Sequence, residues 1–213
     1  MLATVEADPS QPARRVYDEV VHDEDDVGNV PNFQTVRTQL ERRRAAVAPP
    51  IPYDVADVVI PDQWRETWDG REYVSQDNEW GIVVFATNRN YRKMRHCSVL
   101  YMDGTFRSCP RPYQQFLTIH GLCHGRVIPL VMALMADKRV GTYRQVLNHV
   151  ERKVREQTGR RLRPERIVSD FEAALMAAYE TEFVEATTSG CYFHFFYLFF
   201  INFTSKTKYR TKW

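Results

Sequence analysis

The strongest constraint on the fold is a change of hydrophobic period near residue 140. Upstream of it, three apolar segments of strand length follow one another at residues 98–103, 113–121 and 127–135. Their separators are turn-forming: Ser108-Cys109-Pro110-Arg111-Pro112 and His124-Gly125-Arg126. Short links between consecutive strands favour an antiparallel meander, because a parallel pair needs a long crossover. Downstream, Tyr143, Val146, Leu147, Val150 and Val154 recur at three- and four-residue spacing, the pattern of an amphipathic helix. Thr142 stands where a helix cap is expected and Gly159 where the helix should stop. Pro164 resets the chain, and residues 167–170 read as a short buried strand. Phe171, Ala174, Leu175, Ala178 and Tyr179 then form one face of a second helix. A helix joining two strands of one sheet makes those strands parallel. The strand ending at Asp170 is therefore expected to run parallel to one of the first three.

The rest of the chain divides by composition. Residues 1–31 are acidic and aperiodic, which predicts a disordered head. Residues 32–47 read as a short basic helix, capped by Asn32, with Val36, Leu40 and Val47 near one face and Arg42-Arg43-Arg44 in solvent. Pro49, Pro50, Pro52 and Pro61 forbid its continuation, so 32–62 is a basic helix plus a proline-rich linker. Residues 63–203 form the folded domain, with further strands at 72–75 and 81–86 and a short helix or turn at 88–94; 204–213 is a basic tail. A chain of 213 residues suits one well-buried domain with extensions, and a net charge of +2 says little about partners. Cys97, Cys109, Cys123 and Cys191 show no disulfide framework, and no secretory signal is evident, so reduced thiols in an intracellular protein are expected. The apolar run 193–203 is shorter than the roughly 20 residues a bilayer crossing requires, so no membrane partner is expected.

Two carboxylates stand out. Asp103 closes the run Ser98-Val99-Leu100-Tyr101-Met102, and Asp170 closes Ile167-Val168-Ser169. If these two strands are neighbours, a spacing of about 4.8 Å brings the carboxylates within reach of shared cations. Mg²⁺ takes hard oxygen ligands, and a pair of such ions can clamp an in-line phosphoryl displacement. Each residue also has a simpler reading. Asp103-Gly104 matches a hairpin turn, Asp170 a helix cap, and Glu172 a first-turn acid on a helix dipole. Cys191 and His194 supply two ligands where a structural zinc needs four, so spacing alone favours a buried thiol and a hydrogen-bonded imidazole.

An ordered series of motifs adds to this. It runs Asp103-Gly104-Thr105-Phe106, Pro110, Tyr113-Gln114-Gln115, Thr118-Ile119-His120, Pro129-Leu130, Thr142-Tyr143, Asp170-Phe171-Glu172 and Gly190-Cys191-Tyr192-Phe193-His194-Phe195. In this order it resembles the transposase domain of Mutator-like elements (MULE), over about residues 83–195. The resemblance implies an α/β fold, a ribonuclease H-like mixed sheet flanked by helices. It implies a DDE-type DNA transposase that uses Mg²⁺ or Mn²⁺ for strand cleavage and transfer. Asp103 and Asp170 map onto the first two family acids, and Cys191 and His194 onto the family's Cys-x-x-His element. Arg107 and Arg111, just past Asp103, are candidates to steer a DNA backbone. The partners implied are transposon ends and target DNA, with self-association open, in the nucleus. The family's third acid, a Glu, lies downstream of the Cys-x-x-His element, whereas the last acid here is Glu185. The expectation is therefore a C-terminally truncated domain with an incomplete site. The alternative is a catalytically inactive or domesticated relic that binds DNA or protein.

Overall fold

The computed structural model describes residues 1–8, 11–22, 31–47, 51–105 and 108–192. It divides into two compact units, Met1–Ile51 and the remainder from Pro52.

The first unit holds helices α1 (Leu2–Ala7), α2 (Ala13–His22) and α3 (Phe33–Val47). Two of these lie where the acidic composition predicted disorder. The physical reason is local. Arg14 pairs with Asp18 and Arg15 with Glu19, each at i,i+4, so the acids of α2 are matched along its own surface. Val5, Ala13, Val16 and Leu40 form a small buried cluster, with Met1, Phe33 and Val36 packed against it. The α3 start is as expected: the Thr35 N–H donates to Asn32 Oδ1 at 3.1 Å.

The second unit is built on a seven-stranded sheet: β1 (Val74–Asp77), β2 (Ile82–Phe85), β3 (Val99–Thr105), β4 (Gln115–Cys123), β5 (Arg126–Met135), β6 (Arg166–Ser169) and β7 (Thr187–Gly190). Helix α4 (Asn88–Met94) precedes β3, α5 (Val140–Thr158) joins β5 to β6, and α6 (Ala173–Glu182) joins β6 to β7. The spatial order is β1-β2-β5-β4-β3-β6-β7. Strands β3, β4 and β5 form the antiparallel meander, while β6 pairs parallel with both β3 and β7. The register slips between Ile119 and His120, opposite Pro129, whose nitrogen cannot donate to a ladder.

Alternation along the strands separates two faces. Leu100, Met102, Leu117, Ile119, Ala133 and Met135 are buried, and they join Tyr143, Val146, Leu147, Val150 and Val154 of α5 and Leu175, Ala178 and Tyr179 of α6 in one core. Burying a large apolar side chain contributes about 1.5–3 kcal/mol, so this layer dominates the domain's stability. On the other face, Val74, Val83 and Tyr113 form a second cluster with Val55, Val58 and Ile60.

Gly159 ends α5 in the left-handed region at φ 68°, as its position suggested. Thr142 does not cap that helix. The helix begins at Val140, and Thr142 is fully buried in its first turn, its hydroxyl donating to Asp137 Oδ1 at 2.6 Å. Strand β7 has no apolar signature; it is Thr187-Thr188-Ser189-Gly190, exposed throughout and held by its parallel ladder to β6. No helix among the described residues is long and apolar enough to cross a membrane.

Candidate functional site

The site is built where β3, β6 and β7 end. In the β3–β6 ladder the last paired positions are Met102 and Ser169. One residue further on each strand stand Asp103 and Asp170, side by side. Met102 and Ser169 are buried, so alternation aims the next two side chains away from the helix layer. Asp103 is exposed and Asp170 half-buried. Strand spacing is about 4.8 Å, which sets the scale of the gap the two carboxylates span.

Asp103-Gly104 is not a hairpin turn. Both residues lie inside β3, paired with Thr118 and Leu117, and the Thr118 hydroxyl donates to the Asp103 carbonyl at 3.3 Å. Asp170 is not the cap of α6 either. The helix starts at Ala173 with Glu172 in the N-cap position, and Asp170 Oδ1 accepts the Glu172 N–H at 3.4 Å across a tight turn.

Glu172 is the residue that spacing undervalued. Its Oε2 accepts from Gln115 Nε2 at 3.2 Å and its Oε1 from the Tyr143 hydroxyl at 2.8 Å. Gln115 and Tyr143 are both fully buried. Burial pushes the Tyr143 phenol pKa up, and the bond to Glu172 and the charges of Glu172 and Asp170 push it the same way. This trio sits against Gly104. A Cβ at Gly104 would lie 2.2 Å from Gln115 Nε2 and 2.9 Å from Glu172 Oε2, so the strand can pass here only without a side chain. The motif signal was present in Gln115 and Glu172, yet only the fold shows that they meet.

The Gly190-Cys191 motif reaches the same end of the sheet. Gly190 is the register partner of Ser169, and the Cys191 N–H donates to the Ser169 carbonyl at 2.6 Å. A Cβ at Gly190 would lie 2.5 Å from the Phe171 ring, so this glycine too marks a close approach. Arg111 is exposed in the connection from β3 to β4, beyond the end of β3 that carries Asp103. Arg107 and His194 lie outside the described residues, as does the run 193–203. Among the described residues, no group of three or more His, Cys, Asp or Glu side chains is placed to hold a metal ion. The donor set at the strand ends is two carboxylates. That chemistry suits Mg²⁺ or Mn²⁺, since Mg²⁺ is commonly held by one or two carboxylates with water and substrate phosphate completing its shell.

The architecture is thus a mixed α/β domain with two acids on adjacent parallel strand ends and a partly buried carboxylate, Glu172, held beside them by buried Gln115 and Tyr143. The family model described as the MULE transposase domain matches residues 99–197, from the start of β3 to beyond β7, so this segment is similar to that family. No curated protein and no solved structure matches the chain.

Proposed function

We propose that the domain derives from, and retains the strand-end chemistry of, a DDE-type DNA transposase with a ribonuclease H-like fold. The observation that carries this reading is the β3–β6 register, which sets Asp103 beside Asp170 on parallel strands. The order β5-β4-β3-β6-β7, an antiparallel meander followed by two parallel strands, supports the fold assignment. Asp103 and Asp170 hold the divalent cations, and Arg111 steers the DNA backbone toward them. Bound cations supply electrostatic stabilisation to an in-line displacement at phosphorus. The substrates are transposon ends and target DNA, which places the protein in the nucleus.

The test is nicking of supercoiled plasmid by the purified chain with Mg²⁺ or Mn²⁺. Metal-dependent nicking is expected, and Asp103→Asn or Asp170→Asn should abolish it. Equal nicking by the variants, or none by the parent chain, sinks the catalytic reading. A second reading, a DNA-binding module that no longer cuts, is favoured by the two-carboxylate count among the described residues. Its signature is a gel shift without metal-dependent nicking.

A further inference from the structure

Four elements converge on the Glu172 carboxylate. Gln115 comes from the start of β4, Tyr143 from the first turn of α5, Gly104 from β3, and Glu172 itself from the β6–α6 turn. Burying an amide and a phenol in an apolar core is unfavourable unless each finds a partner. Gln115 Oε1 is buried without one among the described residues, so packing alone is a poor reason for this residue. Helix capping is no better a reason, because the Glu172 side chain makes no cap bond to α6. What the trio does achieve is a tie. The Glu172 N–H holds Asp170 Oδ1, and the Glu172 carboxylate is gripped against the residue that follows Asp103. Both of its oxygens are occupied by donors from β4 and α5, elements that carry neither aspartate.

We propose that Glu172 is a positioning residue for the acid pair: held by Gln115 and Tyr143 against Gly104, it fixes the Asp170 turn relative to the Asp103 strand and so sets the separation of the two carboxylates. This rests on the metal-site reading above. Partners that orient ligand carboxylates typically change metal affinity 10–100-fold when removed.

The experiment is Mn²⁺ binding to the full chain by titration calorimetry without DNA, alongside thermal unfolding of each variant. Asp103→Asn and Asp170→Asn should abolish binding. Glu172→Gln, which keeps the side-chain volume, and Tyr143→Phe, which removes one hydroxyl, should each weaken binding by roughly 10–100-fold. The double variant should be no weaker than the worse single one, because both break the same tie. A lowered melting temperature with Mn²⁺ affinity within about twofold of the parent makes Glu172 merely structural and overturns the proposal, as do additive losses. If Glu172→Gln does not fold, Tyr143→Phe decides alone by the same criterion. Binding that survives in both aspartate variants overturns the metal-site reading itself, and absence of binding by the parent chain overturns both.

Discussion

The Tyr143 hydroxyl donates to Glu172 Oε1 across 2.8 Å, linking the first turn of one helix to the residue that opens the next. Tyr143 is fully buried. Its removal leaves a carboxylate oxygen short of a donor, which costs about 1–3 kcal/mol. Tyr143→Phe should lower the urea midpoint accordingly, with little change in the denaturant slope because the ring still packs. An unchanged midpoint would show that water replaces the hydroxyl.

Gly104→Ala places a methyl group 2.2 Å from Gln115 Nε2 and 2.9 Å from Glu172 Oε2. Overpacking of this kind typically costs about 1–3 kcal/mol. Equilibrium denaturation should show that loss. In a hairpin turn an alanine at this position would meet no such neighbours, so a neutral Gly104→Ala would argue against the strand placement.

His149 gives a pH dependence of known sign. Burial lowers its pKa from 6.5 to about 4, and the charges of Arg152 and Lys153 act in the same direction. Arg152 donates to Nδ1 at 3.1 Å, which leaves the proton on Nε2, facing the Tyr91 hydroxyl oxygen at 3.5 Å. Between the two pKa values the unfolded chain binds more protons, so stability rises with pH. The contribution is whole above pH 6.5 and is lost as pH falls toward 4. For a partly exposed ring it is of order 2 kcal/mol. His149→Gln should flatten the stability profile between pH 4 and 6.5 relative to the parent chain; identical profiles would contradict a ring held neutral by its partial burial.

Cys97 is 3 % exposed, and burial beside Cys123 pushes its thiol pKa up to about 12. The thiolate is the reactive species. Timed iodoacetamide labelling of the native chain at pH 7.5, read by mass spectrometry, should modify half-exposed Cys123 before Cys97. Unfolding should equalise them. Early labelling of Cys97 would mean that the core around it opens readily.

Much of the second unit was legible because its segments state their period clearly. The meander, α5 and the Asp170 strand follow from apolar runs with turn-forming separators, and Val146, Leu147, Val150 and Val154 all face the core as their spacing required. The crossover argument made the Asp170 strand parallel to one of the first three without choosing among them, and the register makes that neighbour β3. Three things were illegible. Strand β7 is polar and exposed, so no hydrophobic pattern marks it; a ladder with β6 makes it a strand. Helix α2 is stabilised by side-chain pairing that a count of acids hides, and α1 by burial of Val5 in the small cluster. The role of Gly104 depends on Gln115, Tyr143 and Glu172 arriving from three other elements, and no local window contains all four.

The place of β6 in the sheet has a consequence for the order in which the protein is made. Its neighbour β3 and the whole meander leave the ribosome before β6 does, so early in synthesis β3 is the outer strand of an incomplete sheet with Asp103 on its open edge. An open strand edge is a template for unwanted pairing with other chains. Docking of β6 closes that edge and, in the same step, delivers Asp170. Covering the β3 edge and completing the acid pair are one event, so under the proposed function a half-made chain leaves DNA uncut.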